Sequence, residues 1–293
     1  MAAKSNVVES VKKRWRQLID KDRQYKDIAK VHTDLVERME KHVPKITPFS
    51  IEKEEVLAKL EAGTPLLEGK EDQVELRYAV ALFRELTDWA GTGDARKKFK
   101  KWEKGLSDAH LEQVLRGWIK GDLEPFTRVT LGQDLPQDLL SVLIQYSLLP
   151  TLHSYGSALV PDKAFLLEKW QHGYCPFCGD TPALAEIRDT ERFRYLRCTS
   201  CGGDWPFKRI ACPACGNNDH EKLETFMMED PKTGAQYQID VCEVCKNYVK
   251  VSNKLQPSPP AMLLLDDLST THLDLFAVEN GYYKGGKPDG TLQ

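Results

Sequence analysis

The chain has 293 residues, 41% of them hydrophobic and 29% charged, with a formal net charge of −3. That length has room for more than one core, and the composition is that of an ordinary globular protein rather than a disordered or membrane-spanning one. The near-neutral balance gives no general attraction for nucleic acid.

Residues 7–42 carry Val8, Val11, Trp15, Leu18, Ile19, Ile28, Leu35 and Met39 at three- and four-residue steps. This predicts one long helix, or two with a break near Asp20–Gln24, capped by Ser5 or Asn6 and ended by Pro44. Pro44–Pro48 reads as a linker, and Ile51–Leu60 as a short helix closed by Gly63 and Pro65. Asp72–Ala90 has Val74, Tyr78, Leu82, Phe83, Leu86 and Trp89 at helical spacing and stops at Gly91-Thr92-Gly93. Leu106–Lys120 reads as another helix, and Leu139–Leu149 is apolar nearly all round, as the middle helix of a bundle is. A last helix, Asp162–Trp170, leads to the first cysteine. Residues 1–171 are therefore expected to form an all-α domain whose tryptophans and leucines are core. Met1–Ser10 has no apolar core of signal-peptide length, and Leu139–Leu149 is too short to span a bilayer. The expectation is no stable membrane insertion and a cytoplasmic location, where thiols stay reduced.

From Tyr174 the pattern turns to short alternating runs with glycine turns: Phe193–Arg197, Lys208–Ala211, Leu223–Met228, Tyr237–Val241 and Tyr248–Val251. Gln256–Pro260 is a linker. Leu263–Tyr283 returns as a helical tail with Leu264, Leu268, Leu275 and Val278 on one face, before a flexible end at Gly285, Gly286, Pro288 and Gly290. The fold class expected is multidomain: the all-α N-terminal domain, two small β modules at residues 172–209 and 210–255, then residues 256–293 as linker and short C-terminal helix.

All eight cysteines lie in those modules, as four Cys-x-x-Cys pairs: Cys175/Cys178, Cys198/Cys201, Cys212/Cys215 and Cys242/Cys245. Two such turns aim four sulfurs at one point, the arrangement of a thiolate metal site. The intervening gaps of 19, 10 and 26 residues suggest two consecutive four-cysteine ribbons, and sequential pairing closes shorter loops than a crossed one. A proline follows Cys175 and Cys212 and stiffens those turns, while Gly179, Gly202 and Gly216 can take positive φ and let backbone N–H groups point at sulfur. Lys246 stands where the fourth glycine would be and offers a positive charge instead. Disulfides do not suit a set made only of Cys-x-x-Cys pairs, and a thioredoxin-like redox pair needs one motif in a βαβ setting, not four. Ribbons of about 35 residues bury too little to fold alone, so metal would supply folding energy.

No catalytic constellation is present: there is no P-loop, Rossmann glycine pattern, nucleophile elbow or H-E-x-x-H motif. A closed four-thiolate site also has no open position for water. His172 and His220 are read as surface residues, and Arg188, Arg192, Arg194 and Arg197 as a solvated strand face. Residues 172–253 hold ten Lys/Arg against twelve Asp/Glu. With thiolate charge added, a zinc-ribbon nucleic-acid binder is disfavoured, so no nucleic-acid partner is expected.

The motifs Cys175-Pro-Phe-Cys-Gly179, Arg194-Tyr-Leu-Arg-Cys-Thr-Ser-Cys201 with Trp205, Ala211-Cys-Pro-Ala-Cys-Gly216 and Asp240-Val-Cys-Glu-Val-Cys-Lys246 with Tyr248 and Lys250 resemble the FdhE family, the formate dehydrogenase accessory proteins. The resemblance resumes at Asp266-Asp-Leu268, Leu273-Asp274 and Gly281-Tyr282. It implies two rubredoxin-like modules and no catalytic activity, with the eight cysteines as metal ligands, holding iron at two mononuclear sites or zinc as the alternative. It further implies a maturation factor that binds the molybdenum- or tungsten-containing catalytic subunit of formate dehydrogenase, with an iron redox carrier or sensor as the alternative. No family motif marks the residues that grip this client. The groove between helices and ribbons, with the four arginines, is the candidate, and the oligomeric state is left open.

Overall fold

The structure, a computed structural model, describes residues 7–45, 48–90, 93–188, 193–229 and 236–285. The predicted N-terminal helix is two, α1 (Val7–Lys21) and α2 (Lys26–Lys41), separated by a 3-10 turn whose N-cap Asp22 accepts from the Gln24 N–H. Then come α3 (Lys53–Glu61), α4 (Arg77–Ala90), α5 (Gly93–Lys104), α6 (Asp108–Lys120), α7 (Glu124–Thr130), α8 (Gln137–Leu159) and α9 (Lys163–Lys169). Helix α4 starts later than expected because residues 71–73 form a 3-10 turn. Two helices escaped the sequence reading. Among its described side chains the lysine-rich α5 buries Phe99 and Trp102, and α7 is a two-turn segment opened by Pro125.

Helix α8 runs on through Pro150, where an end had been expected at Leu149. Proline forfeits one helical hydrogen bond, but burial from Leu140 to Tyr155 outweighs that local cost. Trp15, Trp102 and Trp170 are buried, while Trp89 and Trp118 lie half-buried against the core. The leucines are less uniform: Leu123, Leu131 and Leu167 are exposed.

The cysteine region forms one six-stranded sheet in the order β3-β2-β1-β6-β5-β4. Its strands are β1 (Leu184–Arg188), β2 (Phe193–Arg197), β3 (Asp204–Pro206), β4 (Leu223–Glu229), β5 (Gln236–Cys242) and β6 (Tyr248–Lys254). Each ribbon is antiparallel within itself, and the two join through the parallel pair β1–β6, with Leu184 opposite Lys250. Strand β1 escaped the sequence reading because it is buried on both faces and does not alternate. Lys208–Ala211 is a bend, not the expected strand. The guanidinium of Arg194 takes the carbonyls of Arg209 and Ala211, at 3.4 and 3.0 Å, where a strand partner would have been.

The tail folds as two helices, α10 (Pro260–Ser269) and α11 (Thr271–Glu279). The break at Thr270 rotates the second, so Leu273 and Ala277 face the sheet while Leu275 and Val278 are exposed. Ala261 and Leu265 of α10 pack with Val11, Trp15 and Val36, so the two ends of the chain share a core. The glycines that follow Gly285 lie outside the described residues.

Candidate metal centres

The four Cys-x-x-Cys turns are built alike. The N–H of the first cysteine donates to the carbonyl of the residue five positions on: Cys175 to Asp180, Cys198 to Gly203, Cys212 to Asn217 and Cys242 to Asn247. The residue after the second cysteine is left-handed in every case: Gly179 at φ 79°, Gly202 at 71°, Gly216 at 73° and Lys246 at 59°. Lys246 thus occupies a glycine position at the cost of an unfavourable backbone region. Its ammonium pairs with Glu243 and lies over the Tyr282 ring, so its charge is engaged there.

The turns bring the sulfurs together sequentially. Cys175, Cys178, Cys198 and Cys201 form one group and Cys212, Cys215, Cys242 and Cys245 the other, with all sulfurs of a group within 4.8 Å of one another. Close pairs are Cys175–Cys201 at 3.6 Å, Cys178–Cys198 at 3.5 Å, Cys212–Cys245 at 3.6 Å and Cys215–Cys242 at 3.8 Å. Four sulfurs at about 2.3 Å from a common ion lie about 3.8 Å apart, so both groups have the dimensions of a tetrahedral thiolate cage. Donors to sulfur are present too: the Cys178 N–H to Cys175, the Ala214 and Cys215 N–H groups to Cys212, and the Asn217 N–H to Cys215.

Burial alone would raise the Cys175 thiol, but hydrogen bonds from Cys178, Cys198 and Cys201 hold it well below the ordinary cysteine value. Hydrogen bonds with Cys175 and Cys198, together with burial, hold Cys178 and Cys201 well above it. In the second group the hydrogen bond with Cys245, then burial, pushes Cys212 up, and burial pushes Cys215 up to about 11. A cation entering either cage therefore has to displace protons, and its charge makes the full set of thiolates tolerable.

The arginines expected on a solvated face are internal. Arg188, Arg194 and Arg197 are 4%, 3% and 2% exposed, and Arg192 lies outside the described residues. Arg197 Nη1 reaches Glu186 at 2.6 Å, and Arg188 Nε reaches the other carboxylate oxygen at 2.8 Å and pairs also with Asp204. Arg194 crosses from the first ribbon to the second, meeting Asp240 at 3.4 Å and the carbonyl that precedes Cys212. Sequence reasoning missed this because strand alternation was read as inside versus water, while both faces of β1, and β2 beyond its exposed Phe193, are covered. Lys250, 2% exposed, is likewise internal, at 2.7 Å from both Asp267 and Asp274, and Tyr248 donates to Asp274 at 2.8 Å. These contacts pin the tail onto the sheet. His172 is half-buried, stacked on Tyr174 beside Trp170, and His220 is exposed.

The first centre is embedded where helices and sheet meet. Leu66 and Leu67 donate to the carbonyls of Pro176 and Phe177, and His153 Nδ1 to that of Cys201 at 3.0 Å. A cleft of about 750 Å³ between α6 and this ribbon reaches Cys178, with Glu68, Glu71, Asp180 and Lys120 in its lining. No helix among the described residues is long and apolar enough to cross a membrane.

Fold and site thus define an α-helical protein with a β-sheet carrying two four-cysteine groups and a helical tail. Comparison with known proteins narrows this. Residues 174–209 match the family model "FdhE, central domain". The chain is 28% identical over 241 residues to the FdhE homolog of Aquifex aeolicus, covering 80% of this chain and 77% of that one. It is 31% identical over 126 residues to protein FdhE of Escherichia coli O127:H6, covering 42% of this chain and 39% of that protein. The crystal structure of the FdhE protein from Pseudomonas aeruginosa shares the fold, with TM-score 0.64 at 19% identity over 94% of this chain and 92% of that one. The chain is thus similar to FdhE proteins in sequence over most of its length and in fold.

Proposed function

We propose that the protein is a maturation factor for formate dehydrogenase, not itself an enzyme, that binds the enzyme's catalytic subunit and holds one metal ion in each four-cysteine cage. The observation that carries this reading is the coincidence, in one chain, of FdhE kinship over most of its length with two cages of tetrahedral thiolate dimensions. The eight cysteines Cys175, Cys178, Cys198, Cys201, Cys212, Cys215, Cys242 and Cys245 are the ligands. A metal held there cross-links two turns and screens four thiolates, and the protein's own part is to orient the sulfurs and supply N–H donors. Iron is the proposed metal by kinship, and zinc satisfies the same ligands. With the arginines internal, the client-binding role passes to the cleft beside Cys178, whose charged lining residues are Glu68, Glu71 and Asp180 against Lys120.

The test is metal analysis and an absorption spectrum on protein purified without oxygen, alongside co-purification with the tagged catalytic subunit of formate dehydrogenase. About two metals per chain and retention of the subunit are expected. Less than about one metal in a folded chain, or no retention, overturns the proposal. Red thiolate-to-iron bands identify iron, and a colourless, metal-loaded protein identifies zinc.

A further inference from the structure

Resting on the reading of both cages as metal centres, we infer that the two are inequivalent: the first is a permanent staple, and the second is an exchange site that an external soft ligand reaches through Cys215. The first cage is part of the main apolar core. Cys175, Cys198 and Cys201 are buried in one cluster with Leu148, Leu152 and Tyr155 of α8, and Phe177 fills the space beside Gly156. Gly202 lies under Pro260 and His153. Cys175 and Cys201 are buried and border only a small cavity of about 120 Å³ beside α8, and half-buried Cys178 borders the cleft next to α6, so none of the four sulfurs is exposed.

The second cage is covered on one side only. Cys212 and Cys242 are buried, but none of its cysteines joins an apolar cluster among the described residues. Cys215 is exposed and Cys245 half-buried, nothing lies within 4 Å of a Cβ placed on Gly216, and Val244, between Cys242 and Cys245, is exposed. On its inner side a cavity of about 410 Å³ reaches Cys212 and Cys242, leaving room beside the cage. A closed four-thiolate centre exchanges only when one thiolate gives way to another ligand, and the ligand that can swing out without disturbing packing is Cys215. In that step the bond from the incoming thiolate or aromatic nitrogen forms as the Cys215–metal bond breaks. The released thiolate takes a proton from water, and no electrons are transferred. The ligand class is a thiol-bearing or nitrogen-chelating group on a metal donor or acceptor.

The experiment follows zinc release from the zinc-loaded full chain to the chromophoric chelator 4-(2-pyridylazo)resorcinol, with iodoacetamide present and peptides mapped afterwards. Two equal phases are expected, separated by at least about tenfold in rate, with Cys215 the first cysteine alkylated. In Cys215→Ser the fast phase disappears, bound zinc falls by about half, and the slow phase is unchanged. Release of both zincs in one phase, or first alkylation at Cys178 or Cys198, overturns the inference while leaving the metal reading intact. A chain that takes up no zinc overturns the metal reading itself. Because the wild-type kinetics decide the matter alone, a variant that failed to fold would not rescue the inference.

Discussion

The buried charge cluster on β1 gives the sharpest test of how this sheet is held. Glu186 is 1% exposed and lies between the guanidiniums of Arg188 and Arg197, with the Ser258 N–H donating to it at 3.3 Å. Burial alone would raise its carboxyl, but Arg197 and Arg188 outweigh burial and hold it below the usual carboxylate range. Glu186→Gln keeps the shape and one acceptor oxygen but removes the charge, leaving two buried cations with Asp204 as the remaining carboxylate. Breaking a buried pair on one side costs about 3–5 kcal/mol. At about 2.1 cal/mol/K per residue, a chain of 293 residues unfolds with roughly 0.6 kcal/mol/K, so the expected fall in Tm is about 5–8 °C. Thermal melts by circular dichroism at neutral pH, with metal content checked on the same samples, measure it. The sign with pH also follows. A carboxyl depressed in the folded state stabilises fully above its unfolded pKa of about 4.3, and the benefit is lost as pH falls through the folded value. The gap between wild type and variant must therefore close on acidification. A fall below about 2 °C, equivalent to about 1 kcal/mol, or a gap that widens in acid, would refute the reasoning.

Other consequences are checked as directly. Lys246→Gly relieves a left-handed backbone but loses the pair with Glu243, so its stability should stay within about 1 kcal/mol of wild type. Lys246→Val, which loses the same pair and keeps the penalty, should fall below it by about 1–2 kcal/mol in urea titration. A Cβ on Gly173 would overlap the Pro213 carbonyl, where the approach to the first ribbon touches the third turn. Gly173→Ala should accordingly reduce soluble yield and the metal content of the second centre, and unaltered loading would show that the contact is dispensable. Metal affinity should fall as pH falls, since thiols such as Cys215, raised to about 11 without metal, must give up protons on loading. Competition titrations at two pH values test this, and a pH-independent constant contradicts it. Lys250→Met leaves Asp267 and Asp274 without their buried cation, so limited proteolysis should cut residues 256–285 faster than in wild type.

What the sequence made legible follows from which forces are local. The Cys-x-x-Cys turns were readable because proline, glycine and two-residue spacing constrain the backbone within five residues, and the structure groups the sulfurs in chain order. Helices with strong periodicity, such as α1, α2 and α6, were readable for the same reason. Others depended on tertiary context. Helix α5 offers only Phe99 and Trp102 to periodicity, β1 has no exposed face to alternate with, and α8 passes through a proline that a local rule treats as a stop. The arginines near Cys198 were misread for a deeper reason: composition counts a cation but cannot show that Glu186, Asp204 and Asp240 converge on it from other strands.

The joining of the two ribbons into one sheet changes what metal must supply. An isolated ribbon of this size depends on its metal for folding. Here β5 and β6 have separate support: Ile239, Val241 and Tyr248 pack on Leu273 and Ala277 of α11, and β6 is paired to β1. Arg194 ties the chain just before Cys212 to β2. The strands of the second ribbon are thus held by the tail and by the first ribbon, and only the two cysteine turns at their end would depend on a metal to close. That division permits exchange at Cys215 without unfolding the sheet, since the free energy of the turns is separable from that of the strands. The first ribbon has no equivalent division. Three of its four cysteines, Cys175, Cys198 and Cys201, are themselves core residues, so loss of a metal held there would open the seam between helices and sheet on which the rest of the chain is assembled.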